Sequence, residues 1–334
     1  MPVKISFLAA LFCCSLAPAQ SVVSTIVASA NGFLSSLDDG QRSKVLFEFN
    51  DAAQRVKWSN LPVTMVPRAG LKMGDLTPAQ KKAALGLLAA TLSKRGYEKV
   101  LAIMQGDEVL KAGSGGRDAT MFGRDLFYIS ILGKPSVKDP WMLQFGGHHL
   151  ALNITIVGSE GILTPSLTAA QPAKYTVDGR TVRPLGAEND KAFALVNALD
   201  PGQQKQAILN YKVADLVLGP GHDGKTIQPE GIKCSAMNQS QQAMLLDLVG
   251  EWAGIINDKA AAVRMAEIKA NLAATWFAWS GPTTNGLPAY YRIQGPTLVI
   301  EYAPQPLGGD PTMHIHTIYR DPTNDYGKKS VGHL

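Results

Sequence analysis

Hydrophobic positions along this chain recur first at helical spacing and then at strand spacing. Two sets of apolar residues repeat with a period near 3.6 and predict helices: Ala83, Ala84, Leu87, Leu88 and Leu92, then Met244, Leu245, Leu248 and Trp252. Segments rich in aromatic and β-branched residues, bounded by Gly and Pro, predict strands at 126–132, 141–145, 148–157, 290–294, 297–302 and 314–319. Because helices come before strands instead of alternating with them, the pattern predicts an α+β fold with a mainly antiparallel sheet.

Four helices are predicted to begin at a capping box. In each box a short oxygen-bearing side chain is followed by Gln three residues later, and the boxes start at Asp38, Thr77, Asp200 and Asn238. The first side chain accepts a hydrogen bond from the helix's first turn, and Gln reaches back to the amide of the cap residue. Pro78 and Pro201 occupy the first helical position, where proline's missing N–H costs nothing.

The boxes also suggest an internal duplication. Leu37 and Leu76 precede two boxes 39 residues apart, and Leu199 and Met237 precede two boxes 38 residues apart. We therefore predict two related α-then-β halves, 20–170 and 185–326, packed about a pseudo-two-fold axis, with Tyr128 overlaying a residue near Tyr291. The link between the halves is predicted to carry one small hairpin, turned at Val177-Asp178-Gly179-Arg180.

The first 19 residues have the pattern of an export signal. Met1 and Lys4 form a charged start, 5–16 form an apolar core, and Ala17-Pro18-Ala19 forms a small-residue cleavage site. No later segment reaches the roughly 20 apolar residues that a membrane span needs. The expected protein is therefore secreted, in the periplasm or outside the cell, with no transmembrane segment and with a frayed tail at 327–334.

Cysteine content and charge narrow the classes of protein and partner that fit the sequence. Removal of the signal would take away Cys13 and Cys14, so Cys234 would have no partner for a disulfide and the core would have to supply stability. A hydrophobic content of 46% is sufficient for such a core. The net charge of +5 is scattered along the chain, which argues against a nucleic-acid partner.

The histidines provide the main functional hypothesis. His314 and His316 alternate along a predicted strand, so both side chains lie on one face and can bind one metal ion. In a regular strand His148 and His149 would face opposite ways, and we assign His149 to the site because it shares its face with Ala151 and Asn153. The alternative is that each pair is a structural, hydrogen-bonded histidine beside a turn.

Carboxylates and arginines near these histidines are candidates for the remaining roles. Glu301 lies in an apolar strand, where a charge is costly unless it meets a cation, a donor or a metal, so we predict it as fourth ligand or general base. Asp321 is a second candidate base and Arg320 a candidate for stabilising an oxyanion. The alternatives are an ion pair of Glu301 with Arg292 or Arg320, and an ordinary turn at Asp321.

Three classes of function fit these residues. A divalent metal on His149, His314, His316 and Glu301 suits hydrolysis if it is Zn, and oxidation if it is Cu or Fe, of a small organic or carbohydrate substrate. A non-catalytic binding protein for an anionic or sugar ligand is the alternative, and a structural envelope protein is the third. No G-x-S-x-G, H-E-x-x-H or phosphate-loop motif occurs, and His222 in 219–224 is predicted to be part of a turn.

Three stretches resemble a known family. WMLQFGGHHLALN at 141–153, the Gly and Pro residues of 219–221 with 228–231, and HIHTIYRDPTNDYG at 314–327 are similar to a bacterial and fungal family catalogued as a domain of unknown function, number 3500. The resemblance covers nearly all of the chain after the signal. It implies an exported protein and supplies no catalytic residues.

Overall fold

The computed structural model describes residues 21–115, 117, 119–307 and 309–332. The predicted signal at 1–19, with Cys13 and Cys14, lies outside this range, and so does His333 at the end of the predicted tail. Among the described residues, no helix combines the length and apolarity that crossing a bilayer requires.

The helices form two groups, one in each half of the chain. Their bounds are α1 Val22–Ser35, α2 Asp39–Val45, α3 Ala52–Arg55, α4 Pro78–Thr91, α5 Lys94–Gly113, α6 Gly186–Ala198, α7 Pro201–Ala207, α8 Gln239–Ala253 and α9 Asp258–Ala270. The helical periods detected in the sequence fall within α4 and α8, except that Leu92 is the residue that follows α4.

The strands form one large sheet and one small hairpin. Their bounds are β1 Leu46–Phe47, β2 Leu71–Lys72, β3 Tyr128–Leu132, β4 Trp141–Gly147, β5 Leu150–Val157, β6 Glu160–Ile162, β7 Ser166–Ala170, β8 Tyr175–Val177, β9 Arg180–Val182, β10 Ile232–Lys233, β11 Trp276–Ser280, β12 Tyr290–Gly295, β13 Leu298–Pro304 and β14 Ile315–Arg320. The large sheet runs in the order β1-β3-β4-β5-β7-β14-β13-β12-β11-β10, with β2 beside β3 and β6 beside β5. Its pairs are antiparallel except for β1 with β3, so the predicted α+β class with a mainly antiparallel sheet is confirmed.

All four predicted capping boxes form. In each box the side chain of the cap residue accepts a hydrogen bond from the backbone amide of the Gln three residues later. The side-chain oxygen of that Gln accepts a hydrogen bond from the backbone amide of the cap residue, which is Asp38, Thr77, Asp200 or Asn238. The boxes are also joined in pairs through their glutamine side chains, Gln41 with Gln80 and Gln203 with Gln241. The two helix starts of each pair are therefore fixed to one another. The predicted small hairpin forms as β8 and β9, with Asp178 and Gly179 both at positive φ in its turn.

Two apolar cores lie along the sheet. One contains Phe33, Leu87, Trp141 and their neighbours, mostly from the first half of the chain. The other is built mostly from the second half, around Trp252 and Trp279. The sheet is continuous across the two halves, because β7 of the first half pairs with β14 of the second, with Ala169 opposite His316.

The halves also meet through a close helix contact. A Cβ on Gly96 of α5 would lie 2.1 Å from the carbonyl oxygen of Ile255, so only glycine allows this approach. Beside it, buried Lys99 binds the carboxylate of Glu188 in α6 and donates to the carbonyl of Glu251 in α8 at 3.1 Å. A buried charge needs such partners, since desolvation alone would be costly.

One detail of the predicted duplication is wrong. Tyr128 begins β3, the first long strand of its half, whereas Tyr291 lies in β12, which follows β11. Similar residues at similar spacing thus lie on strands that are not equivalent in the order of elements: one is on the first long strand of its half and the other on the second. The histidine pairs differ in the same way, because His148 and His149 connect β4 to β5, whereas His314 and His316 lie at the start of β14.

Candidate metal centre

Three histidine side chains converge where the halves join. Nε2 of His314 lies 3.0 Å from Nε2 of His149 and 3.1 Å from Nε2 of His316. All three residues are buried, with 2% to 6% of their surface exposed. His149, His314 and His316, which the sequence analysis assigns to one site, lie together, and the three side chains could hold a metal ion.

Local backbone structure places each ring. His316 is the second residue of β14 and His314 immediately precedes this strand, so strand alternation puts both rings on one face, as predicted. His148 and His149 form the two-residue turn between β4 and β5, since Gly147 pairs with Leu150. His149 takes a positive φ of 60° there, which directs its ring towards β14 instead of along a regular strand.

The turn explains why one expectation was wrong. His148 was predicted to pack away from the site, on the assumption that the pair lies within a strand. Its ring instead lies 3.6 Å from that of His149, and its Nδ1 is 2.8 Å from Oδ1 of Asp107 in α5. Gly146 and Gly147 introduce no bulge into the β4–β5 register, and a Cβ on Gly146 would come within 2.3 Å of the carbonyl oxygen of Leu150.

Hydrogen bonds on the outer side of the cluster assign the tautomers. Nδ1 of His314 lies 2.7 Å from the carbonyl oxygen of Leu307, which can only accept, so this nitrogen carries the proton. Nδ1 of His316 lies 3.3 Å from Oδ1 of Asp215. In both rings Nε2 is then left with a lone pair, the arrangement in which a metal-binding histidine is held by an acceptor behind it.

These tautomers bring two acceptors close together. Nε2 of His314 and Nε2 of His316 lie 3.1 Å apart, and two acceptors cannot form a hydrogen bond with each other. The nearest donors are Nε2 of His149, 3.0 Å from Nε2 of His314, and the side-chain amide of Asn60, at a longer 3.4 Å from Nε2 of His316. A cation between the three nitrogens would take up both lone pairs, because tetrahedral ligands with bonds of 2.0–2.1 Å stand about 3.3 Å apart.

Burial keeps the rings of His149 and His314 neutral. Desolvation, reinforced by His148, His316 and His314, holds the pKa of His149 well below its ordinary value. Desolvation also lowers the pKa of His314 to about 4, although the bond to Leu307 opposes this. Neutral imidazole is the form that binds metal.

This depressed pKa predicts how the metal-free protein responds to acid. The unfolded chain binds a proton at His314 near pH 6.5, and the folded chain only near pH 4, so stability falls as the pH drops from about 6.5 to about 4. The contribution from His314 is at most about 3 kcal/mol. Urea denaturation with a chelator present should show a steeper loss over this window for the unaltered protein than for His314→Gln. Equal slopes for the two proteins would contradict the prediction.

Asp215, Asn60 and Asp107 surround the histidines and were not predicted. Partial burial raises the pKa of Asp215, but hydrogen bonds from His316, Leu216 and Gln305 outweigh it and the net pKa is lowered, so the group is a carboxylate. The side-chain nitrogen of Asn60 lies 3.4 Å from both ring nitrogens of His316. The backbone carbonyl of Asn60 accepts a hydrogen bond from the backbone amide of His149 at 3.3 Å. These residues lie far from the histidines in sequence, so no local signal indicates them.

Glu301 is not brought to the histidines. It is fully buried, and its two oxygens accept hydrogen bonds from the amides of Val217 and Leu218 at 2.9 and 2.8 Å and from the hydroxyl of Tyr290 at 2.6 Å. The carboxylate of Glu301, predicted as a metal ligand or base, is therefore held by backbone donors of the loop before β10 and by the hydroxyl of Tyr290.

Arg320 and Asp321 have comparable structural surroundings. The guanidinium of Arg320 donates to the carbonyls of Leu218 and Gly219 and to the carboxylates of Asp223 and Asp325. Asp321 accepts from the amide and hydroxyl of Thr323, and its other oxygen lies 3.0 Å from Nη1 of Arg264. The groups predicted as oxyanion donor and base are thus engaged away from the three nitrogens.

Two clefts lie beside the centre. One, of about 680 Å³, is lined by 211–217, 227, 228, 230 and Arg292, and it reaches Asp215, the partner of His316. The other, of about 600 Å³, shares residues 211–214 with the first, and its lining includes five prolines. The first cleft has three charged side chains, Lys212, Glu230 and Arg292, among its lining residues.

Fold and site together define an α+β protein with a buried three-histidine centre where two halves of one sheet join. The family model described as a protein of unknown function (DUF3500) matches residues 19–328. The chain belongs to this family. Comparisons with curated proteins and with solved structures found no match.

Proposed function

We propose that this protein binds one divalent transition-metal ion through Nε2 of His149, His314 and His316 and uses it for hydrolysis of a small organic or carbohydrate substrate. The observation that carries the proposal is the convergence of three buried imidazole nitrogens, with Nε2 of His314 lying 3.0 Å from Nε2 of His149 and 3.1 Å from Nε2 of His316. Three neutral imidazoles with a fourth position open to water are the ligand set of catalytic zinc. The proposed resident metal is therefore Zn²⁺.

The chemistry follows from that ligand set. Zn²⁺ held by His149, His314 and His316 would supply Lewis-acid chemistry for hydrolysis. The chain's own residues then have positioning roles: Leu307 and Asp215 hold two of the rings through Nδ1. The cleft that reaches Asp215 is the proposed substrate entry, and its charged lining suits a polar substrate.

Metal content tests the proposal directly. Protein purified without a His tag and dialysed against Zn²⁺ should retain metal, and His314→Ala/His316→Ala should lose the ion bound by the three rings, because a single imidazole does not hold it. His222→Ala is the matched control, since His222 contacts only a carbonyl in a turn. Elemental analysis of all three proteins decides the matter. Equal zinc content in the double variant and the parent would overturn the site.

A binding protein for an anionic or sugar ligand is the second candidate. The lining of the cleft by Arg292 and Lys212 favours it, because both side chains can pair with an anion. The two candidates differ in their dependence on metal. Hydrolysis of a panel of chromogenic esters and glycosides should disappear on chelation and in His316→Ala, whereas simple ligand binding in the cleft should survive both.

Export and duplication complete the proposal. The charged start, apolar core and small-residue site at 1–19 support cleavage and secretion, and N-terminal sequencing of the mature protein tests this. The strand order supports two related halves, because the sheet carries hairpins β3-β4 and β11-β12 at matching distances from the central β7–β14 pair. The paired capping boxes support it independently. Superposition of 20–170 on 185–326 in an experimental structure tests it.

A further inference from the structure

A second set of possible metal ligands adjoins the first. Asp107, His148 and His149 each offer a donor atom, and these atoms all lie within 4.8 Å of one another. The three residues are buried, with 1% to 3% of their surface exposed. His149 belongs to both sets, since its Nε2 faces His314.

Two atoms in this second set lack a hydrogen bond of standard length. Nδ1 of His149 and Oδ2 of Asp107 are buried and accept no hydrogen bond of standard length within the described part of the chain, although the backbone N–H of Gly123 faces the Asp107 carboxylate. A buried, unpaired polar atom costs roughly 1–3 kcal/mol, more if it is charged. Oδ1 of Asp107 lies 2.8 Å from Nδ1 of His148, the separation of a hydrogen bond, so the two groups would move slightly apart to share an ion. The site thus contains donors that the first metal leaves unused.

We infer that Asp107, His148 and His149 bind a second divalent transition-metal ion, with the ring of His149 bridging the two ions through its two nitrogens. Two histidines and one carboxylate form a recognised ligand set for such ions. The inference rests on the proposed function only in that the bridge needs the first ion. Bridging replaces the last N–H proton of His149 by the second cation, so that proton is released to solvent on loading.

The backbone holds these donors in place before any ion arrives. His148 and His149 are the two residues of one tight turn, and their ring centroids lie 3.6 Å apart. Asp107 lies in the middle of α5, where its helix is fixed by the close contact at Gly96. A second ion therefore needs small side-chain rotations and no change in the fold.

Stoichiometry tests the inference with Zn²⁺ as the probe. Equilibrium dialysis followed by elemental analysis should find two ions per folded chain in the unaltered protein. Asp107→Asn keeps the size of the side chain and should bind one ion, and so should His148→Gln. His314→Ala/His316→Ala should lose the ion at the first site. Thermal melts and circular dichroism establish whether each variant is folded. Because the second site is tested by two separate variants, the result still stands if one of them does not fold.

The outcomes separate the two proposals. One ion in the unaltered protein and in Asp107→Asn overturns the second site and leaves the three-histidine site standing. Two ions in both Asp107→Asn and His148→Gln also overturn it, because the second ion would then lie elsewhere. No ion in the unaltered protein overturns both. Cu²⁺-loaded protein gives an independent readout: ions bridged by one imidazole lie about 6 Å apart and should show a spin-coupled spectrum that Asp107→Asn abolishes.

Discussion

Glu301→Gln should destabilise the protein by about 3 kcal/mol or more without removing a metal ligand. Glu301 is fully buried and accepts three hydrogen bonds, two of them from the consecutive amides of Val217 and Leu218. A glutamine has only one acceptor oxygen, so its NH₂ group must face one of these N–H donors. The loss of negative charge also leaves Arg292, which is opposite Glu301 in the sheet, less well compensated.

Urea denaturation and zinc analysis together check this result. The free energy of unfolding should fall while the metal content of the folded protein at saturating Zn²⁺ stays unchanged. Glu267→Gln is the control, because Glu267 is 42% exposed and its pair with Arg264 follows helical spacing, so the change should cost less than about 1 kcal/mol. Loss of zinc from folded Glu301→Gln, with little change in stability, would instead make Glu301 a ligand.

Gly96→Ala should be the second change with a large effect. The new Cβ would lie 2.1 Å from the carbonyl oxygen of Ile255 and 2.8 Å from its carbonyl carbon, so α5 must move away from the second half. Such overpacking against backbone costs about 3 kcal/mol, and the displacement also disturbs buried Lys99 one turn later.

Gly86→Ala is the matched control for this change. Gly86 is also within a helix, α4, but it is exposed and a Cβ there meets nothing within 4 Å. Alanine should therefore raise stability by up to about 1 kcal/mol through helix propensity alone. Thermal melts of the two variants should shift in opposite directions. A neutral Gly96→Ala would show that the helix contact is looser than these distances indicate.

Local features of this fold could be predicted from the sequence because local chemistry determines them. Each capping box needs only four consecutive residues, and all four form as predicted. The convergence of His314 and His316 needs only strand alternation, which β14 provides. His149 was assigned by a face argument that reached the right residue, although the residue is in a turn.

Non-local features could not be predicted in the same way. Glu301 was predicted as a metal ligand or general base, but it accepts from the hydroxyl of Tyr290 and from two backbone amides more than 80 residues away, and backbone donors have no signature in a sequence. Asp107 and Asp215 approach the histidines through packing of α5 and of the 208–231 loop, again over long separations. The tyrosine match failed because similar spacing does not fix which strand of a hairpin a residue occupies.

The pairing of β7 with β14 gives the proposed ion a mechanical role. Ligands for the ion come from the β4–β5 turn on one side of this junction and from the start of β14 on the other. The bound ion would therefore cross-link the two halves. A ligand that binds only the joined state stabilises it by about 4 kcal/mol when present at 1,000 times its dissociation constant. The concentration of free zinc would then determine how often the two parts of the sheet separate and become accessible to proteases. The lifetime of the protein would therefore depend on the zinc concentration around it.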